Sequence, residues 1–235
     1  MNNYKHIFFD LDDTLWDYDK NSQETLEELY KNFRLYDSGD FTVEKFIDQF
    51  KVRNTELWEK YRNGSIDVET LRNERFVLTL NDLKAHSAMR HALCAMHLAI
   101  DYLKICPKKS HVIPFAHEVL TYLQKKYQLH ILTNGFEETQ CMKLEYSGLK
   151  KYFTNVITSE RAGCRKPDKK IFEYALQKTE AIARECIMIG DDHETDILGA
   201  RGAGIKQIFF NPHKRINNYN ATYEIKNLSE LCWIL

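Results

Sequence analysis

The sequence predicts an α/β fold: a parallel sheet with a helical domain inserted after its first strand. Two observations carry this. Five short apolar runs read as strands: Ile7–Phe9, Leu129–Thr133, Val156–Ser159, Cys186–Gly190 and Gln207–Phe210. From the second onward they alternate with helix-like segments, the pattern of βαβ units and a parallel sheet. The chain between Phe9 and Leu129 is far longer than one crossover needs, and its pattern is almost wholly helical.

The elements follow in order. Ile7-Phe8-Phe9 is apolar at every position and ends abruptly in carboxylates at Asp10. A buried parallel strand that delivers acids to a sheet edge has this form. In the insertion, Asn21 followed by Glu24 resembles a capping box. Leu26, Leu29, Tyr30 and Phe33 then fall at helical spacing. Phe46, Ile47 and Phe50 follow a cap at Thr42, and Asp67 precedes Val68, Leu71 and Arg72. Leu93, Met96, Ile100 and Leu103 mark a long helix that stops before Pro107. Pro114 opens a helix with Val119, Leu120 and Leu123 on its buried side. Residues 1–16 and 105–235 are therefore expected to form the core, and residues 17–104 a lid over the strand ends.

Composition narrows the function class. With 33 basic against 34 acidic residues the net charge is −1, which argues against a nucleic-acid or membrane surface. None of the six cysteines forms a C-x-x-C pair, so a zinc site is not expected and reduced thiols are. Met1-Asn2-Asn3-Tyr4-Lys5 leads straight into the first strand without a leader, and no segment approaches the ~20 apolar residues of a membrane span. A cytoplasmic protein is the expectation.

Four segments carry chemistry. Asp10 and Asp12, spaced i and i+2 at a strand end, can both reach one small volume, and Thr14 follows them. One acid can attack while the other handles a proton. Thr133-Asn134-Gly135 ends the second strand with a hydroxyl and an amide that can hold phosphate oxygens. Lys166, before Pro167, can pair with a phosphate and a carboxylate. Gly190 permits a tight exit from the fourth strand, and Asp191, Asp192 and Asp196 then concentrate negative charge that needs a cation. Hard carboxylates favour Mg²⁺. Taken singly, each segment also reads as a turn or a surface charge. All four fall at the carboxyl ends of predicted parallel strands, where open α/β sheets bind ligands.

The order D-x-D-x-T, T-N, K-P, G-D-D-x-x-x-D resembles the haloacid dehalogenase superfamily, and within it the phosphatases. The resemblance implies a Rossmann-like core with an α-helical cap. A narrower resemblance lies in Leu57-Trp58-Glu59-Lys60-Tyr61-Arg62-Asn63-Gly64-Ser65-Ile66 with Leu71-Arg72 and Arg75-Phe76, and in Thr139-Gln140 with Ser147-Gly148-Leu149. These strings are similar to pyrimidine 5′-nucleotidase-type members. Asp192 stands where many relatives carry Ser or Thr.

The resemblance implies Asp10 as a nucleophile that forms an aspartyl-phosphate and Asp12 as the acid, then base. It implies Mg²⁺ held by the Asp10 carboxylate, the Asp12 carbonyl and Asp191. Thr133, Asn134 and Lys166 would bind the phosphate, with Thr14, Asp192 and Asp196 in support. Trp16, Trp58 and Tyr61 are candidates for stacking on a base. The implied partner is a small phosphorylated metabolite, a nucleotide by the narrower resemblance, and the chain is expected as a monomer or weak homo-oligomer. A phosphatase of phosphoglycolate or a sugar phosphate, a sugar-phosphate mutase, a dehalogenase and a non-catalytic binding protein remain open. Asp12 argues against the dehalogenase, which needs no second acid.

Overall fold

The structure, a computed structural model, describes residues 4–85, 88–214 and 221–235. Six strands among them form one sheet: β1 (His6–Phe9), β2 (Gln128–Thr133), β3 (Asn155–Thr158), β4 (Cys186–Gly190), β5 (Lys206–Phe210) and β6 (Tyr223–Ile225). Their order is β3-β2-β1-β4-β5-β6, and every neighbouring pair is parallel. The chain moves outward from β1 through β2 to β3, then returns to β4 on the other side of β1. Strand order thus reverses at β1, the switch point beside which such sheets bind ligands. Phe9 pairs with both Ile131 and Ile189, which sets the carboxyl ends of the three central strands side by side.

The strands are apolar throughout because both faces are covered. Phe8, Leu132 and Met188 point to one face, packed with Ile171, Phe172 and Ala175 of a later helix. Ile7, Phe9, Ile131, Ile187 and Ile189 alternate to the other and are equally buried. His130 is a polar exception: its Nε2 lies 3.1 Å from His6 Nδ1, and its Nδ1 lies 2.9 Å from Thr154 Oγ1. Burial, and then His6, push its pKa down to about 4, so the ring is neutral.

The helices are α1 (Tyr18–Asn32), α2 (Val43–Arg62), α3 (Val68–Asp82), α4 (Ala88–Ile105), α5 (Ala116–Leu123), α6 (Glu137–Tyr146), α7 (Ser159–Ala162) and α8 (Lys169–Lys178), with short turns beyond. The chain divides into two compact units, Met1–Tyr18 with Lys109–Leu235, and Asp19–Lys108. The first is the Rossmann-like sheet unit. The second is the inserted helical cap, whose interior is aromatic: Phe50 lies 4.9 Å from Phe76 and 5.2 Å from Tyr102 between ring centroids.

Several local expectations are met. Thr42 accepts from Lys45 N and Asp67 accepts from Thr70 N, each capping its helix. Others are corrected. α1 begins at Tyr18, so Asn21 is a buried helical residue and not a cap. α5 begins two residues after Pro114, with Phe115 at its N-cap in the left-handed region at φ 69°. On α4 the expected stripe marks the helix but not its buried face. Leu93, Met96 and Ile100 are exposed, whereas Ala95, Leu98, Ala99 and Tyr102 are buried. No helix among the described residues is long and apolar enough to cross a membrane. Met1, Asn2 and Asn3, on which the N-terminal expectation partly rests, lie outside the described residues.

Candidate active site

The loop after β1 builds the first wall. Asp10 N donates to Ile189 O at 2.9 Å, which continues the strand pairing by one residue. The chain then turns tightly: Leu15 N and Trp16 N both donate to Leu11 O at 2.9 Å, and Asp13 sits at φ 57° with its N–H on Trp16 O. Asp13 is therefore the turn residue, a left-handed position that Asp tolerates. The turn leaves Asp10 and Asp12 at the strand end.

Lys166 reaches the same place from the loop before α8. Its Nζ donates to Asp10 Oδ1 at 2.7 Å and to Asp196 Oδ1 at 2.6 Å, and its side chain is only 2% exposed. Thr14 Oγ1 donates to Asp191 Oδ1 at 3.2 Å, as a brace between the first and fourth segments. Carboxylate oxygens of Asp10, Asp191 and Asp196 all lie within 4.8 Å of one another. Gly190 is required for this packing, since a Cβ there would lie 2.1 Å from Asp196 Oδ2. Asp192 donates its N–H to Asp196 Oδ2, while its own Oδ1 accepts from Glu194 N and Thr195 N at 2.9 Å each. That oxygen caps the helical turn that follows.

One ammonium thus faces three carboxylates. Burial raises the Asp10 pKa against the pull of Lys166. Asp191 is pushed up to about 9 by burial, then by Asp10, Asp196, Asp13 and Asp192. Asp196 is pushed up to about 7, with burial again first and Lys166 opposing. Burial works against the Lys166 charge, but Asp10 and Asp196 outweigh it and hold its pKa above the ordinary value. The cluster lacks positive charge, and a cation beside it would lower every raised carboxylate. Its donors are all oxygen, which fits a hard divalent ion such as Mg²⁺. Asp196 accepts on both oxygens, from Lys166 Nζ and from Asp192 N, whereas Lys166 holds only Oδ1 of Asp10.

The segment after β2 departs from expectation at Asn134. Its Nδ2 donates to Lys166 O at 2.9 Å and its Oδ1 accepts from Lys166 N at 2.8 Å. The amide expected to hold phosphate instead grips the Lys166 backbone on both sides. Thr133 Oγ1 accepts from Gly135 N at 3.0 Å and from Gln140 Nε2 at 2.7 Å, so its own proton can be donated elsewhere. Asp12 Oδ1 accepts from Lys143 Nζ at 2.6 Å, and its Oδ2 from Gln140 Nε2 at 2.9 Å. Sequence reasoning missed Lys143 and noted Gln140 only inside a longer string. Their spacing of three on the helix after the Thr133-Asn134-Gly135 turn was the available signal.

The aromatic candidates separate. Trp16 is fully buried, with Lys143 Nζ 4.6 Å from its ring centroid and its Nε1 donating to Lys109 O. With no exposed ring face it cannot stack on a base in this conformation, which corrects that expectation. On α2, Tyr61 is buried and Trp58 half-buried, edge to face at 5.7 Å. Arg75 is buried, with its guanidinium 4.6 Å from the Tyr102 centroid.

Comparison with known proteins agrees with this geometry. The family model of haloacid dehalogenase-like hydrolases matches residues 4–204. The chain is 33% identical to pyrimidine 5′-nucleotidase YjjG of Escherichia coli over 233 residues, covering 96% of this chain and 95% of that one. It is 31% identical to pyrimidine 5′-nucleotidase PynA of Streptococcus pneumoniae over 232 residues, 97% of this chain and 93% of that one. The magnesium-bound crystal structure of YfnB from Bacillus subtilis superposes with a TM-score of 0.87 at 28% identity, covering 99% of this chain and 98% of that one. A parallel sheet whose strand ends bring Asp10, Lys166 and Asp191 together, and these full-length similarities, have one reading: the chain belongs to the haloacid dehalogenase-like hydrolase family, among its phosphatases.

Proposed function

We propose that the protein is a Mg²⁺-dependent phosphomonoester hydrolase acting on nucleoside 5′-monophosphates, pyrimidines above purines, through an aspartyl-phosphate on Asp10. The observation that carries this is the pairing of two acids with different partners. Asp10 has one oxygen tied to a buried Lys166, and Asp12, two residues on, is held separately by Lys143 and Gln140.

In the first step the Asp10 oxygen that Lys166 does not hold attacks phosphorus, and the bond from phosphorus to the ester oxygen breaks. Asp12 gives its proton to the departing alkoxide. In the second step water attacks phosphorus and the bond to Asp10 breaks. Asp12 takes the water proton, so both acids return to their starting state. Lys166 and the Thr133 hydroxyl hold transferring oxygens, and Asn134 keeps Lys166 in place. Asp196 aligns Lys166, Thr14 aligns Asp191, and Asp192 holds the turn that carries Asp196. Mg²⁺, held by the Asp10 carboxylate, the Asp12 carbonyl and Asp191, would offset repulsion between Asp10 and a dianionic phosphate.

Selection of the ester falls to the helical cap, with residues 1–16 and 105–235 as the catalytic core and 17–104 as the cap. Trp58, the less buried of the α2 pair, takes the stacking role, and Tyr61 supports it edge-on. The pyrimidine preference rests on the resemblance to YjjG and PynA, and we read the chain as a monomer or weak homo-oligomer. All six cysteines are free thiols, which supports a cytoplasmic location.

A Mg²⁺-dependent phosphate-release panel tests this reading. It should contain dUMP, dTMP, UMP, purine monophosphates, phosphoglycolate and sugar phosphates. Pyrimidine monophosphates are expected to lead, and Asp10→Asn to abolish turnover with an unchanged circular dichroism spectrum. A clear lead for non-nucleotides would overturn the substrate, and activity in Asp10→Asn would overturn the nucleophile.

A further inference from the structure

The helix after β2 turns an unusual face inward. On α6 the buried residues are Gln140, Lys143 and Leu144, so two of the three are polar. A lysine is rarely buried without a strong partner. The Lys143 side chain is 7% exposed and its Nζ donates to Asp12 Oδ1 at 2.6 Å, while the Asp12 side chain is 30% exposed. The lysine is enclosed and the acid is partly open. The ammonium also lies 4.6 Å from the Trp16 centroid and 5.8 Å from that of Tyr18, so two aromatic rings flank it.

Gln140 completes the grip. Its Nε2 donates to Asp12 Oδ2 at 2.9 Å and to Thr133 Oγ1 at 2.7 Å. Each Asp12 oxygen therefore has its own donor from α6, and the same amide joins Asp12 to Thr133. The Gln140 Oε1 that remains is buried without a hydrogen-bond partner. Turning the amide over would face that carbonyl toward the Asp12 carboxylate, so an unsatisfied acceptor is tolerated to keep the NH₂ on Asp12 and Thr133. The backbone makes room for this: a Cβ on Gly135 would lie 2.1 Å from Gln140 Nε2.

We propose that Lys143 and Gln140 are positioning residues for the reaction, a two-point clamp that fixes the Asp12 carboxyl plane for proton transfer to and from the ester oxygen and water. The inference rests on the phosphatase reading above. Two donors in fixed positions leave Asp12 one orientation, and proton transfer needs its oxygen within hydrogen-bond reach of the reacting atom. Without Lys143 the carboxylate keeps its chemistry but loses that placement.

Leaving-group dependence separates positioning from a general structural role. A nucleotide alkoxide needs a proton to depart, whereas nitrophenolate departs without one. Lys143→Met is expected to lower kcat on UMP by about 100-fold with KM within about threefold. On p-nitrophenyl phosphate the same variant is expected to show a burst of nitrophenolate near the wild-type rate, followed by slow turnover. Gln140→Leu, close in volume, is expected to show the same pattern more weakly, and Lys143→Arg to recover part of the UMP rate. A Lys143→Met or Gln140→Leu protein that keeps its UMP kcat, or loses its burst in proportion to it, would overturn the clamp while leaving the phosphatase reading intact. A wild-type protein that hydrolyses neither ester would overturn both.

Discussion

Asp191 concentrates the electrostatic problem of the site. Its pKa is pushed up to about 9, whereas an unfolded chain leaves an aspartate near its ordinary value of 3.8. A carboxyl raised on folding stabilises the fold below its unfolded pKa, and that contribution is lost as pH rises through the folded value. The metal-free protein should therefore lose stability as pH climbs towards about 9, and Mg²⁺ should restore it by binding the ionised form. Mg²⁺ affinity, read by calorimetry in buffers of different ionisation enthalpy, is expected to rise with pH up to about 9 with release of a proton, and Asp191→Asn to lose most of that dependence. The carboxylates were legible because acids that end two buried strands, β1 and β4, are hard to explain otherwise. Lys143 was not, because a lysine on a helix ordinarily reads as solvated. Asn134 was legible as a member of the site, but its amide turned to the Lys166 backbone, a pairing across 32 positions that no local pattern announces.

Elements fix how closely these groups approach. β4 delivers Asp191 through Gly190, whose missing Cβ is the space that Asp196 Oδ2 fills. Gly190→Ala should push Asp196 off Lys166, at a stability cost of about 1–3 kcal/mol in urea unfolding and with loss of most phosphate release. Folding at near wild-type stability with full activity would contradict that packing. The strands were read well because a run covered on both faces leaves a continuous apolar signal. β6 was missed because Tyr223–Ile225 is too short to carry one. α4 shows the opposite failure. Its large apolar residues Leu93, Met96 and Ile100 drew attention, yet the inward face uses Ala95 and Ala99, whose small size permits close helix approach.

At the scale of the molecule, one sheet unit carries every core motif although they span Asp10 to Asp196, and the helical unit Asp19–Lys108 is inserted in the chain between β1 and β2. That division was legible from the length of chain between the first two strands. The burial of Arg75 was not, because a cationic residue at helical spacing ordinarily suits a surface. The central claim is that Asp10 attacks phosphorus and water then attacks the same atom. It is tested most directly by single turnover of a pyrimidine monophosphate in heavy-oxygen water, with mass analysis of the phosphate and of the Asp10 peptide. The label is expected in the released phosphate and absent from the peptide. Label in the Asp10 carboxylate would place water attack on the carboxyl carbon and contradict the account.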